Sequence, residues 1–180
     1  MKLKMLLLIS LLALSLAAIS LLTSSYITPS NTTYTQEYYK TQENISSKNI
    51  VFYIYGSIGC PACKSVKELL EENFGKEIVF YELSGNEEHV KNFHRIYELL
   101  AQAKGMSLNL YIPLTGVFMN DRLAFIVIGY HPLDFWEKIL SSSPKDYIVV
   151  FYPGDGDTAT IVIADNEIIQ SLEKLFAKEG

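Results

Sequence analysis

The chain has 180 residues, of which 49% are hydrophobic and 19% are charged, and its formal net charge at pH 7 is −5. Fifteen Lys and Arg residues face twenty Asp and Glu residues, and the aromatic residues are not interleaved with basic ones, so the composition argues against binding of nucleic acid. A length of this order allows one domain besides terminal segments, and the apolar content is enough for a substantial core.

The amino-terminal residues 1–25 form an apolar leader. Lys2 and Lys4 precede an uncharged stretch from Met5 to Leu22, which is typical of a secretory signal peptide or a signal anchor. A helix of that length just reaches across a hydrocarbon core of about 30 Å, so length does not separate a cleaved peptide from a retained anchor. The positive charges before the apolar run predict a cytoplasmic amino end, with everything from Tyr26 onward outside the membrane.

Residues 26–48 are rich in Ser, Thr, Asn, Gln and Tyr and lack apolar periodicity, which predicts an extended polar stalk. Two Asn-x-Ser/Thr triplets lie here, beginning at Asn31 and Asn44. An exported chain accepts glycans at such triplets, but so polar a segment also contains them by chance, and both interpretations stay open.

The first half of the remaining chain is predicted to alternate strands and helices. Asn49–Tyr55, NIVFYIY, is an unbroken apolar and aromatic run, as in a strand buried on both faces. A helix is expected from Pro61, because proline is tolerated in a first helical turn, and Gly75 is a stop signal. Glu77–Leu83 predicts a second strand, and Asn86–Lys104 predicts a long helix.

The next segment is predicted to be a hairpin followed by a short helix. Its strands are TGVFM, residues 115–119, and RLAFIVI, residues 122–128. Asn120-Asp121 joins them and is a residue pair typical of hairpin turns. His131–Leu140 predicts the helix.

Residues 141–180 predict a second hairpin and a final helix. The strands DYIVVFY and ATIVIAD flank PGDGDT, in which Asp155 and Asp157 are candidate calcium ligands. The later glutamate of a calcium loop is missing, so a hairpin turn is the favoured interpretation. The helix carries an apolar stripe of Ile168, Leu172, Leu175 and Phe176.

Both cysteines of the chain lie in YGSIGCPACKSV, residues 55–66. Cys60 and Cys63 are separated by two residues, a spacing found in redox pairs and in metal sites. Helical spacing places Cys63 on a stripe continued by Val66 and Leu70. We therefore expect Cys63 to face the core and Cys60 to lie at the start of the helix.

The cysteine pair has three other interpretations: a structural disulfide, a zinc site and a copper site. A purely structural disulfide across two residues is strained. A zinc site would need His89 and His94, but five positions along a helix turn two side chains about 140° apart, and their separation from Cys63 does not match a zinc finger. Copper binding by Cys60, Cys63 and one histidine stays open as a second hypothesis.

The element order, with Cys-x-x-Cys at the first strand-to-helix junction, resembles the thioredoxin superfamily and in particular its glutaredoxin-like members. VFYIYGSIGCPACKSVKELL is similar to their strand, turn, Cys-Pro-x-Cys motif and helix. YIPLTGVFMNDRLAFIVIGYHPLDF resembles their proline loop, hairpin and the start of the last helix. The resemblance covers residues 49–140, and residues 141–180 lie outside the minimal pattern.

The resemblance implies an α/β, thioredoxin-like fold, a central mixed sheet flanked by helices, with a carboxy-terminal hairpin-plus-helix extension. It also implies a thiol–disulfide oxidoreductase in which Cys60 attacks and Cys63 resolves the mixed disulfide. No metal and no cofactor other than the Cys60–Cys63 disulfide is implied. Pro113 matches the cis-proline of the family. The residues expected to contact substrate are Pro61, Ala62, Ile112 and Pro113.

Two residues are candidate modulators of Cys60, whose thiolate is favoured at a helix amino terminus. Lys64 lies four positions on and on the same helical face, although a solvated surface lysine is the simpler interpretation. His131 is placed to act on protons if its loop approaches the cysteines, although a His-Pro pair also simply opens a helix.

The sequence departs from the family pattern at three places. Ile54 stands where many thioredoxins have a buried acid, and Ala62 offers no side-chain donor to the thiolate. Gly129-Tyr130 replaces the Gly-Gly pair with which glutaredoxins contact glutathione. The sequence therefore favours protein thiols and disulfides over glutathione as partners.

The resulting hypothesis has three segments: a leader over 1–25, a stalk over 26–48, and a thioredoxin-like domain over 49–180 with its core at 49–140. We expect an extracytoplasmic oxidoreductase, secreted or anchored in the membrane, with a membrane redox partner. The alternative is a copper-binding or non-catalytic binding domain of the same fold. The direction of the redox reaction does not follow from the sequence.

Overall fold

The computed structural model describes Ile45 and residues 48–105, 107–154 and 157–177. The predicted leader, the asparagines of both glycosylation triplets and most of the predicted stalk lie outside these residues. Within the described part the chain is an α/β protein with one mixed sheet of six strands and four helices. The elements are β1 (Ile50–Gly56), α1 (Pro61–Phe74), β2 (Glu77–Glu82), α2 (Glu87–Lys104), β3 (Leu114–Met119), β4 (Arg122–Ile128), α3 (Leu133–Ser141), β5 (Ile148–Pro153), β6 (Thr158–Ile163) and α4 (Asn166–Phe176).

The helices begin and end at residues suited to those positions. Helix α1 starts with proline and is followed by Gly75 with φ of 55°, a left-handed conformation that glycine adopts without strain. Asn86 caps α2 by accepting a hydrogen bond from the His89 N–H at 3.0 Å. Asp165 caps α4 in the same way through two backbone N–H groups. The helix predicted from His131 begins two residues later, at Leu133, after Pro132.

The strand order in the sheet is β2-β1-β3-β4-β5-β6. Strand β1 is parallel to β2 and antiparallel to β3, and β3 is antiparallel to β4. Strand β5 is parallel to β4, and β6 returns antiparallel beside β5, which confirms the second predicted hairpin. The ends of β1, β4 and β5 and the start of β3 therefore lie at the same edge of the sheet, which we call the upper edge.

The helices cover both faces of the sheet with separate apolar clusters. Val66 and Leu70 of α1 and Trp136 of α3 pack with Phe52 and Val117 on one face. Helices α2 and α4 cover the opposite face, where the larger cluster includes Tyr55, Phe93, Leu100, Leu114, Leu172 and Phe176. Both faces of β1 are thus buried, as its unbroken apolar sequence predicts.

The carboxy-terminal residues share this core. The Phe176 ring lies against Gly116 so closely that a Cβ atom there would be 2.6 Å from the ring. The hydroxyl of Tyr55 donates to the Leu175 carbonyl at 2.5 Å, and that of Tyr81 donates to the Phe176 carbonyl at 2.7 Å. Helix α4 therefore packs on the strands that carry the cysteine loop.

The packed part of the chain also includes the last described residues of the predicted stalk. Ile45 is buried in the cluster beneath α1 and α3. The ammonium group of Lys48 donates to the carbonyls of Leu140 and Ser142 at 2.8 and 3.1 Å, at the carboxy-terminal end of α3. A cation is favoured there by the helix dipole. Of the helices in the described part, none combines the length and apolarity needed to cross a membrane.

Candidate functional site

Cys60 is the amino-terminal cap of α1. Its backbone is extended, with φ of −91° and ψ of 115°, and its Sγ accepts a hydrogen bond from the backbone N–H of Cys63 at 3.2 Å. Pro61 occupies the first helical position, where a missing N–H leaves no hydrogen bond unmade. The sulfur of Cys60 is therefore held at the positive end of the helix dipole, and the residue is half-buried.

Cys63 is completely buried one turn further along α1, as the helical stripe predicts. Burial raises the pKa of its thiol to about 12, and the hydrogen bond with Cys60 adds to this shift. Gly56 gives the thiol its space, because a Cβ atom at residue 56 would lie 3.0 Å from the Cys63 sulfur. Both cysteines are free thiols in this structure, and they occupy very different surroundings.

The loop between β1 and α1 is held by a carboxylate from β2. One oxygen of Glu82 accepts the Ile58 N–H at 2.7 Å, and the other accepts the Ser84 N–H at 2.8 Å. The hydroxyls of Ser57 and Ser84 are 2.9 Å apart and join the same two loops. The hydrogen bonds from Ser84 and Ile58 lower the pKa of Glu82, so it stays ionised at neutral pH.

The proline loop lies directly beside this arrangement. Leu114, the residue after Pro113, pairs with Tyr55, the residue before Gly56. The Ile112–Pro113 peptide bond is cis, as the resemblance implies, and the Pro113 carbonyl accepts the Gly129 N–H at 2.8 Å.

A buried tyrosine fixes the residues before the proline. The hydroxyl of Tyr97 donates to the Tyr111 carbonyl at 2.8 Å and accepts the Tyr111 N–H at 3.0 Å. The segment that leads into Pro113 is thus tied to helix α2 through both backbone polar groups of Tyr111.

The residues predicted to contact substrate lie together at the upper edge of the sheet. Pro61 is exposed, Ala62 and Ile112 are half-buried, and Pro113 is buried. Large apolar side chains on the neighbouring loops are exposed, namely Ile58, Leu110, Tyr111 and Tyr130. Such a concentration of exposed apolar residues is typical of a surface that contacts another molecule.

The two candidate modulators lie in different surroundings. The Lys64 ammonium is 3.6 Å from the Glu68 carboxylate on the exposed side of α1, which fits a solvated surface lysine. The His131 ring is buried and stacks on Phe135, with centroids 4.0 Å apart. Burial lowers the pKa of His131, which keeps the imidazole neutral at pH 7.

His89 and His94, the candidate histidine ligands of a metal site, have other contacts. Nδ1 of His89 hydrogen-bonds the Glu82 carbonyl at 2.8 Å, and the His94 ring lies against Phe93. Among the residues described by the structure, no group of three or more His, Cys, Asp or Glu side chains is arranged to hold a metal ion. The turn around Asp157 is closed by a hydrogen bond from the Gly154 N–H to the Asp157 carbonyl at 2.7 Å.

Two residues of the site were missed by sequence reasoning. From the sequence, Glu82 is predicted only as the polar end of a strand, and Tyr97 only as a core aromatic residue on the apolar face of a helix. Glu82 binds the backbone of Ile58 and Tyr97 binds that of Tyr111, and both partners lie in loops distant in sequence, so no local motif marks these residues.

Comparison with protein-family models, with curated proteins and with solved structures finds no match to this chain.

Proposed function

We propose that this protein is a thiol–disulfide oxidoreductase of thioredoxin-like, glutaredoxin-related fold that exchanges disulfides with protein substrates through Cys60 and Cys63. The observation that carries the proposal is the asymmetry of the pair. One sulfur caps a helix at the protein surface, and the other is buried with a raised pKa one turn away. Disulfide exchange needs this combination of an accessible thiolate and a thiol that stays protonated until the mixed disulfide forms.

The arrangement of the first seven elements supports the thioredoxin-like assignment. The run from β1 to α3 forms a sheet of order β2-β1-β3-β4 with the cysteines at the junction of β1 and α1. Pro113 is adjacent to that junction by register. Strands β5 and β6 and helix α4 add to this pattern without interrupting it.

The proposed reaction balances in two steps. The Cys60 thiolate attacks one sulfur of a substrate disulfide, forms a mixed disulfide and releases the other substrate sulfur as a thiolate. The Cys63 thiol then gives its proton to solvent or to that thiolate and attacks the Cys60 sulfur, releasing the second substrate thiol. The substrate gains two electrons, and the protein keeps a Cys60–Cys63 disulfide; the reverse sequence oxidises a substrate.

The residues between the cysteines favour an intermediate to reducing potential. Pro61 has no N–H, and Ala62 offers only its backbone, so neither adds a side-chain donor to the Cys60 thiolate. Lys64 pairs with Glu68 in solvent. We therefore expect a potential of about −200 mV or below rather than about −120 mV.

A redox titration tests the proposal. Protein equilibrated in glutathione buffers should show one two-electron transition, measured by alkylation and mass spectrometry. Cys63→Ser should accumulate mixed disulfides with substrate proteins, and Cys60→Ser should form none. Copper measured in the purified protein addresses the alternative: stoichiometric copper that resists chelation, with no redox transition, would overturn the proposal.

We also propose that the domain faces outward, anchored or released through its leader, and receives electrons from or passes them to a membrane partner. This rests on Lys2 and Lys4 before the apolar run. A membrane-impermeant thiol reagent should label the reduced cysteines on intact cells. Labelling only after lysis would contradict the proposed topology.

A further inference from the structure

A cleft of about 380 Å³ opens at the upper edge of the sheet, away from the cysteines. It lies between the loop that follows α2, the end of β4 and the β5–β6 hairpin. The residues that matter for its chemistry are Lys104, Asn109, Tyr111, Ile128, Tyr152 and Pro153. Tyr152 and Pro153 belong to the part of the chain that lies outside the resemblance, so the cleft depends on the added hairpin.

The cleft is within reach of a peptide bound at Cys60. Cys60 follows β1, Pro113 precedes β3, Gly129 follows β4, and Pro153 ends β5, all at the upper edge. Neighbouring strands are about 4.8 Å apart, so β5 lies about 14 Å from β1, which an extended peptide spans in about four or five residues. A Cβ atom at Gly129 would lie 3.8 Å from Pro153, so the hairpin borders the path directly.

Lys104 is a cation in the cleft, and none of the described residues that line the cleft is acidic. The Lys104 ammonium lies 4.1 Å from the centre of the Tyr152 ring, a cation–π contact. Within the part of the chain described by the structure, that ammonium forms no ion pair with a carboxylate. By contrast Lys64 and Lys67 on α1 each pair with a glutamate.

The other lining groups suit a side chain with a charged end and an apolar stem. The Asn109 amide donates to the Tyr111 hydroxyl at 3.3 Å, and both residues line the same cleft as Lys104. Ile128 and Pro153 supply apolar walls. An Asp or Glu side chain fits this combination, because its carboxylate pairs with the ammonium and its methylene groups contact the walls.

We propose that this cleft is a specificity subsite that binds an acidic side chain of the protein substrate, about four or five residues from the cysteine that reacts with Cys60. The inference rests on the proposed function and adds a substrate preference to it. The added hairpin thereby selects which disulfides the cysteine pair exchanges.

Synthetic peptides test the subsite. Each peptide has one cysteine as a mixed disulfide with a chromogenic aromatic thiol and one Asp at a position from one to seven residues away, on either side, in an Ala/Ser background. The rate constant for exchange with the reduced protein should be about two- to fivefold higher when Asp is four or five residues away on one side, the effect of a partly exposed ion pair. Added salt should reduce the preference.

Variants of Lys104 connect the preference to the cleft. Lys104→Gln should remove it, Lys104→Arg should keep it, and Lys104→Glu should transfer it to peptides with Lys at the same position. Lys67→Gln, which removes an equal charge from α1, is the matched control and should leave the preference unchanged.

The outcomes separate the two proposals. If no peptide exchanges with wild-type protein, the proposed function is wrong. If peptides exchange through Cys60 at rates that depend neither on the position of Asp nor on the charge at residue 104, the function stands and the subsite is wrong. Equal loss of preference in Lys67→Gln and Lys104→Gln would also overturn the subsite, because it would show a response to net charge alone.

Discussion

Gly56 is the residue on which the placement of the buried thiol depends. A methyl group there would lie 3.0 Å from the sulfur of Cys63 and 3.2 Å from the Phe80 ring. Gly56→Ala should lower the free energy of unfolding by about 1–3 kcal/mol, because an extra group in a packed core forces its neighbours to move. It should also slow the second step of disulfide exchange, which stopped-flow measurement of mixed-disulfide decay would show.

Gly59→Ala is the matched control for this change. It lies in the same loop, but an added Cβ would meet only the Ser57 hydroxyl at 3.9 Å. Its urea unfolding curve should resemble that of the wild type. Equal destabilisation by both substitutions would show that loop flexibility rather than contact with Cys63 decides the effect.

Thr115 carries a buried polar atom that does not bond to the described residues. It lies on β3 opposite Ile54, with a fully buried side chain, and its Oγ1 has no hydrogen-bond partner in the described part of the chain. Thr115→Val should therefore raise the free energy of unfolding by about 1 kcal/mol or more, since an unsatisfied buried hydroxyl is unfavourable.

Urea denaturation checks the prediction, with Thr160→Val on the exposed face of β6 as the control for strand propensity. A loss of stability in Thr115→Val would mean that the hydroxyl binds a buried water molecule.

The burial of His131 predicts how the free energy of unfolding depends on pH. Burial lowers its pKa in the folded state, whereas the unfolded chain titrates at about 6.5. As the pH falls below about 6.5, the unfolded state binds a proton that the folded state does not, so stability falls with acidification. The contribution is complete above pH 6.5.

Denaturation at pH 7.5, 6.5 and 5.5 measures this dependence. His131→Phe keeps a ring against Phe135 and should flatten the curve in this range. His94→Gln, at an exposed position, should leave it unchanged. A curve that stays equally steep without His131 would assign the pH dependence to another group.

At the scale of elements, α4 contributes more to the core than its sequence predicts. The Phe176 ring contacts Gly116 and lies edge-on to Tyr55, with centroids 5.7 Å apart. Phe176→Ala should lower the free energy of unfolding by about 3–5 kcal/mol, the usual range for deleting a buried aromatic ring. Because Tyr55 is the next-to-last residue of β1, directly before the cysteine loop, disulfide exchange should also slow.

Lys174→Ala, two residues away on α4 and exposed, provides the comparison. Thermal melting and urea unfolding should both show that Phe176→Ala is less stable than Lys174→Ala. If Phe176→Ala unfolds like the control, helix α4 is not part of the cooperative core.

Across the whole molecule, the elements with local signals were predictable and their partners were not. Proline at residue 61 and Gly75 mark both ends of α1, and Asn120-Asp121 marks the first hairpin; both residues of that turn have positive φ. The parallel pairing of β5 with β4 could not be predicted from the sequence, because it joins two segments that are separated by a helix.

The same reason explains the two halves of the site. Cys60 and Cys63 were found because both lie in one short motif. Lys104 could not be predicted as a site residue from the sequence. Its contact with Tyr152 depends on how α2 and β5 pack in the folded structure. The role of a side chain can be predicted from the sequence only when the residues that it contacts are near it in the chain.

The cap formed by Cys60 also links redox state to conformational energy through a thermodynamic cycle. Folding and reduction are two legs of one square, so the reduced and oxidised proteins differ in unfolding free energy by the amount that folding shifts the redox equilibrium. The Cys63 N–H bond to the Cys60 sulfur belongs to the dithiol state. If the reduced protein unfolds at a free energy about 1.4 kcal/mol higher than the oxidised one, folding has raised the potential of the pair by about 30 mV. Denaturation of the two forms thus gives the shift that folding imposes on the potential of the cysteines, without any redox buffer or substrate.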